Sequence, residues 1–222
     1  IDRSRGLGDV YKRQVMVIAG AGSGKTRVLT YRVAYLLNKG VDGFNILSLT
    51  FTNKAAKEMK QRIGKIVGES EAKNLWMGTF HSIFARILRI EAERLGYPTN
   101  FTIYDSDDSK KVISNIIKGK NLDKDIYKAK TVASRISSLK NNLITPKAYF
   151  QNGELQAQDS ATKLPMFGEI YQAYTERCFR AGAMDFDDLL LKTNELLYRF
   201  PEVLAKYQER FQYILVDEYQ DT

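Results

Sequence analysis

Residues 15–37 read VMVIAGAGSGKTRVLTYRVAYLL. A short apolar run is followed by three glycines, a lysine and a hydroxyl, and then by helical periodicity. VMVIA predicts a buried parallel strand ended by glycine. Residues 25–38 predict a helix stopped near Gly40. Glycines let a backbone turn tightly and bring its N–H groups onto phosphate oxygens. The helix N-terminus that follows adds its dipole and donors aimed at the same anion. The pattern G-x-x-x-x-G-K-[ST] asks for glycine where Ala19 stands, one residue short of a full match, but the flanking strand and helix are the context it needs. The stretch Ala19, Gly20, Ala21, Gly22, Ser23, Gly24, Lys25, Thr26 and Arg27 is therefore expected to bind nucleotide. Lys25 would reach the β- and γ-phosphates, and the Thr26 hydroxyl would hold Mg²⁺.

Outward from this stretch the alternation continues. ILSLTF (46–51) predicts a second strand, and NKAAKEMKQRIGKIV (53–67) a helix with Asn53 as N-cap. LWMGT (75–79) predicts a third strand, followed by a helix through about Leu95. Strands alternating with helices imply crossover units and a parallel sheet. From Asp105 to about Gly182 the periodicity is helical. Asp105 or Ser106 can cap a helix through Lys118; 125–141 forms another, and 165–181 a third with proline at its start. QNGELQAQDSATK (151–163) reads as a polar loop. Two further helices (185–199 and 201–210) precede YILVDE (213–218), a buried strand ending in acids. The expected fold is an α/β parallel sheet flanked by helices, interrupted by an all-helical insertion. Its parts are 15–104, the insertion 105–182, and the return 183–222.

The chain has 222 residues, 44% apolar and 27% charged, ordinary for a globular protein with a core. No apolar run reaches the length of a membrane span, so no membrane association is expected. One cysteine, Cys178, excludes an internal disulfide and suggests a reducing compartment, here the cytoplasm. One cysteine and one histidine, His81, cannot build a zinc site between them. The net charge is +8 and the pI near 9.4, which favours a polyanionic partner. Between Ser106 and Phe150 stand ten Lys/Arg against four Asp/Glu, either a solvated helical surface or a face for nucleic-acid phosphates. Residues 1–14, IDRSRGLGDVYKRQ, show no periodicity and no apolar segment of a signal peptide; they are expected to stand outside the fold.

A site that holds triphosphate and Mg²⁺ needs a carboxylate at the end of another apolar strand. Asp217, after YILV, fits that place, and Glu218 beside it would orient or activate a water. The acids of MDFDDLL, Asp185, Asp187 and Asp188, could suggest a two-metal nuclease. They read better as acids at a helix start, favourable to its dipole.

AGAGSGKT (19–26), LTFTNKAA (49–56), GTFHS (78–82), MDFDDLL (184–190) and LVDEYQDT (215–222) occur in that order. Together they resemble the N-terminal part of superfamily 1 DNA helicases of the UvrD/PcrA/Rep type, over residues 15–222. The resemblance implies a RecA-like P-loop domain with a helical 1B-like subdomain lying against duplex. It implies ATP and Mg²⁺ as cofactors, and 3′–5′ movement on single-stranded DNA toward single/double-strand junctions. Proteins of DNA repair or replication would be its partners. It carries Lys25, Asp217, Glu218 and Gln220 over as catalytic, with Gln220 linking the nucleotide to the DNA. It places Phe51, Thr52, Asn53, Thr79, Phe80, His81 and Ser82 along the DNA path. An aromatic beside small polar groups suits that path, because stacking tolerates any base.

Two features depart from the family. Gln14 abuts the first strand and is too close to read an adenine. The later motifs, the second RecA-like domain and its arginines do not occur in these 222 residues, so the chain alone is expected to hydrolyse ATP barely above background. A non-helicase P-loop NTPase and the motor of a nuclease-linked recombination helicase are the alternatives; TFTNKAA, GTFHS and MDFDDLL speak against the former.

Overall fold

The computed structural model describes residues 15–18 and 24–219. The elements run α1 (Lys25–Asn38), β1 (Ile46–Thr50), α2 (Asn53–Val67), α3 (Glu69–Lys73), β2 (Trp76–Thr79), α4 (Phe80–Glu91), β3 (Thr102–Tyr104), α5 (Ser106–Gly119) and α6 (Ala129–Asn141). They continue with α7 (Pro146–Phe150), α8 (Gly153–Ala161), α9 (Phe167–Arg180), β4 (Ala183–Asp185), α10 (Phe186–Arg199), α11 (Pro201–Arg210) and β5 (Tyr213–Val216). They fall into two compact units: the chain up to Ile83 with the chain from Pro201 onward, and Phe84–Phe200 between them.

In the first unit three strands form a parallel sheet of order β2-β1-β5. All five residues of β1 are buried, as expected of a strand covered on both faces. Of its two buried polar side chains, Ser48 and Thr50, Ser48 bonds through Oγ to Met59 Sδ at 3.6 Å. Val33 and Leu36 of α1, Met59 and Ile63 of α2, Ala72 and Leu75 pack as one cluster with Ile46. Met59 and Ile63 stand four residues apart, one turn of one helix face. Below β2, Trp76 meets Phe211 edge-on at 5.2 Å, and the Arg210 guanidinium lies 4.6 Å from the Trp76 ring.

Two expectations for this unit are corrected. The segment 15–18 belongs to no strand, and Ile18 is 89% exposed. Apolar composition suits a buried strand but does not supply a ladder partner, and β5 pairs with β1 on one side while Ile214 remains 61% exposed. Ala19, and residues 1–14, lie outside the described residues. The N-cap of α2 is Thr52, not Asn53: its Oγ1 accepts from Ala55 N at 3.1 Å, and Asn53 is the first helical residue.

The second unit has its own core, built from Ile113, Ile116 and Ile117 of α5, Val132, Ile136 and Leu139 of α6, and Phe167, Ile170, Tyr171 and Tyr174 of α9. Cys178 is buried there, and burial pushes its thiol up to about 12. The described elements between residues 105 and 182 are helices, but the unit also contains β3 and β4, which pair in parallel with Thr102 opposite Ala183. Strands of three residues are too short to show a period. Residues 151–163 are not a loop throughout: Asn152 accepts from Glu154 N and Leu155 N and starts α8. Buried Asp159 then ties α8 down, taking bonds from Arg135 Nε at 3.0 Å and the Tyr149 hydroxyl at 2.9 Å. A short helix held by polar contacts leaves no apolar stripe in the sequence. The helices expected over 125–141 and 165–181 begin later, at Ala129 and Phe167.

The MDFDDLL acids are structural. Asp185 accepts from Asp188 N at 2.8 Å and Asp188 from Asp185 N at 3.2 Å, a reciprocal cap on α10. Lys140, 2% exposed, places Nζ 2.7 Å from Asp185 Oδ2 and 2.8 Å from Asp188 Oδ1. The Tyr174 hydroxyl donates to Asp185 Oδ2 at 2.7 Å. Asp187 accepts from Asn141 Nδ2 at 3.3 Å. Among the described residues no cluster of three or more acids, histidines and cysteines is placed to hold a metal ion. Lys140 thus leaves the basic surface between Ser106 and Phe150 for the interior. Burial pushes the Lys140 ammonium down, but Asp188 and Asp185 outweigh it and hold it above its ordinary range. Burial raises Asp188. At Asp185 burial also acts upward, but the Lys140 charge and its bond prevail and keep that carboxyl below its ordinary range.

Replacing Lys140 by Met strands two buried carboxylates, which costs about 3–5 kcal/mol. Urea unfolding of Lys140→Met at neutral pH is expected to show this loss. The depressed Asp185 contributes stability above the unfolded carboxylate range and loses it as pH falls through its folded value. The deficit of the variant against wild type should therefore shrink on acidification; a deficit that grows would contradict the assignment.

Candidate functional site

Parallel pairing gathers the functional segments at one edge of the sheet. Thr50 stands opposite Thr79 and Leu49 opposite Val216, so β1, β2 and β5 all end together. Asp217 N extends the ladder by donating to Leu49 O at 2.8 Å. Phe51, Phe80 and Asp217 each follow directly on a strand end. The carboxyl edge of an open α/β sheet is where ligands bind in such folds.

The start of α1 is tied to the same edge. Thr26 Oγ1 donates to Asp217 Oδ2 at 2.9 Å, across 191 positions of chain. Asp217 is 5% exposed, so this hydroxyl is a significant partner for its charge. Gly24, just before the helix, has φ +87, a left-handed backbone that a side chain would strain. Among the described residues no side chain caps α1 and its first turn carries no acid, a helix start whose dipole favours an anion. Lys25 is the first residue of that helix. A hydroxyl and a carboxylate in hydrogen-bond contact are hard oxygen donors of the kind Mg²⁺ takes together. These residues fit a Mg²⁺-bound polyphosphate.

Glu218 adopts φ +52, left-handed for a residue with a side chain, at a cost of roughly 1–3 kcal/mol. Along a strand, neighbouring side chains alternate between faces. The turn at Glu218 ends that alternation directly after Asp217. Arg27 lies on the exposed side of α1, its guanidinium 5.6 Å from the Tyr31 ring centre. Gly20, Ala21, Gly22, Ser23 and Gln220 lie outside the described residues, as does Ala19.

The two segments expected on a DNA path sit side by side after β1 and β2. Phe51 is 60% exposed, far from the core position that a strand end would otherwise suggest. Thr52 and Asn53 are exposed beside it. Thr79, by contrast, is buried, and its Oγ1 accepts from Ser82 N at 3.2 Å while Ser82 Oγ donates to Thr79 O at 2.9 Å. Both hydroxyls are engaged in shaping the start of α4. His81 and Phe80 are half-buried. Gly78 has a steric role that the sequence alone does not reveal: a Cβ there would run into Ser82 Oγ. The T-x-x-S spacing was the signal for that capping pair.

A parallel α/β sheet whose strand-end acid meets the first turn of a helix opened by a left-handed glycine fits a P-loop domain. The chain belongs to the UvrD/REP helicase family, whose N-terminal domain matches residues 7–222. It is 49% identical over 209 residues to the ATP-dependent DNA helicase PcrA of Staphylococcus epidermidis RP62A, covering 94% of this chain and 28% of that protein. The PcrA of Staphylococcus aureus NCTC 8325 is 48% identical over the same share of both. The chain thus spans little more than a quarter of the length of these relatives.

Thr26→Val keeps the shape of the side chain and removes the donor to Asp217. Leaving a buried acceptor without its bond costs about 1–3 kcal/mol, so urea unfolding should register that loss for Thr26→Val and little for Thr26→Ser. Equal stability of the valine variant and wild type would mean that the bond contributes nothing.

Proposed function

We propose that this chain is the nucleotide-binding and DNA-tracking portion of an ATP-dependent 3′–5′ DNA helicase. The single observation that carries the reading is the Thr26–Asp217 contact, which joins the phosphate-binding helix to the acid at the end of β5. Residues 15–104 and 183–222 form its RecA-like part and 105–182 a 1B-like insertion.

In this reading Lys25 binds the β- and γ-phosphates of ATP together with the N–H groups at the start of α1. Thr26 and Asp217 hold Mg²⁺, which neutralises charge on the phosphates. Glu218 orients the attacking water and accepts its proton. Gln220 couples the nucleotide to the DNA. Phe51 stacks on a base, and Thr52, Asn53, Thr79, Phe80, His81 and Ser82 shape the path along the sheet edge. For Thr79 and Ser82 the contribution is to hold the start of α4, since their hydroxyls already bond to the backbone. The natural substrate is single-stranded DNA leading into a duplex junction, and the setting is the cytoplasmic repair or replication machinery.

Lys25→Ala is expected to abolish the thermal shift that Mg·ATP gives wild type while leaving the ligand-free melting temperature in place. An undiminished shift in the variant would overturn the phosphate assignment. Fluorescence anisotropy with oligo-dT tests the DNA reading separately. Binding should weaken with added salt, with a log–log slope of about −0.7 per phosphate contacted; no binding at low salt would overturn it.

A further inference from the structure

The exposed side of α2 carries a row of cations for which neither the fold nor the nucleotide site has a use. Lys54, Lys57 and Lys65 are exposed. At 3.6 residues per turn they fall within an arc of about 80°, spread over about 16 Å of helix axis. Met59 and Ile63, which anchor α2 to the core, are buried. They lie on the other side of the same helix by the same spacing. Acids also stand at α2. Glu58 is matched by Arg62 at 3.7 Å, and Glu69 of α3 lies beside Gly64. Five cations of α2, Lys54, Lys57, Lys60, Arg62 and Lys65, outnumber them. The row begins three residues after Phe51, which is 60% exposed at the end of β1.

We infer that this face of α2 is a phosphate track: Lys54, Lys57 and Lys65 carry the backbone of the same single strand whose base stacks on Phe51. The inference rests on the DNA reading proposed above and extends it from a base contact to a backbone path. The chemistry divides the labour. An aromatic gives affinity that salt barely touches, whereas three lysines give affinity that salt erodes through counterion release. Three contacts amount to about 2 of log–log slope on a single strand. An acidic protein would also find a basic helix attractive, but the unbroken run from Phe51 through Thr52 and Asn53 into Lys54 favours nucleic acid.

The test is oligo-dT binding by anisotropy over a range of salt, with the full 222-residue chain, the triple variant Lys54→Gln/Lys57→Gln/Lys65→Gln, and Phe51→Ala. The triple variant should bind less tightly at low salt, with a slope shallower by about 2, and keep its melting temperature and Mg·ATP thermal shift. Phe51→Ala should lose roughly 5- to 150-fold in affinity at every salt concentration, with the slope of wild type. If wild type binds and the triple variant keeps its slope, the track on α2 is overturned and the Phe51 reading stands. If wild type does not bind at low salt, both fall.

Discussion

β1 is hydrogen-bonded on both sides to parallel neighbours, and the geometry of the first unit follows from that. Parallel ladders fix which residues face each other, so the pairing of Thr50 with Thr79 and of Leu49 with Val216 leaves no freedom in where the three strands end. The ladder itself thus delivers segments from distant parts of the chain to one sheet edge, where Thr26 and Asp217 can meet. A slip of the register by one residue would also take Ser48 away from Met59. The chemistry at the edge then needs only short-range adjustments: a left-handed glycine before α1, a left-handed glutamate after Asp217, and two threonines that cap helices.

The second unit is organised around a charge instead of a strand. Lys140 sits in the interior because Asp185 and Asp188 meet it there, and those acids are themselves oriented by capping α10. A buried ion pair of this kind adds little net stability compared with apolar residues of the same volume. What it constrains is the approach of α6 to the start of α10, because Lys140 Nζ must lie within reach of both Asp185 and Asp188. Aliphatic and aromatic side chains around it supply the bulk of the burial.

Much of this was legible from residue order. α1 and α2 have the bounds that periodicity and glycine punctuation indicate, and β1, β2 and β5 fall inside the apolar runs that predict them. The identity of the Thr26 and Asp217 oxygens as a pair follows from motif chemistry, although their contact spans most of the chain. What escaped reading shares a physical cause, namely dependence on a partner rather than on a local pattern. VMVI has the composition of a strand and no described partner. β3 and β4 are recognisable only as a pair. α8 is polar and held by Asp159. Lys140 reads as a surface cation until its acids are seen. Thr79 and Ser82 read as candidate ligand contacts, and their mutual bonds at the start of α4 appear only with the turn that brings them together.

The order of the strands in the sheet has a bearing on how the protein is made. β1 leaves the ribosome well before its second neighbour, β5, which lies beyond the whole of Phe84–Phe200. At typical elongation rates the intervening segment takes on the order of ten seconds to synthesise. During that interval the buried edge of β1 has β2 on one side and nothing from the β5 segment on the other. The middle unit, whose core is built from one uninterrupted stretch, can reach that core first. A nascent chain of this design therefore holds the fully buried strand β1 half-paired while the middle unit forms behind it, an open strand edge of the kind that chaperones shield.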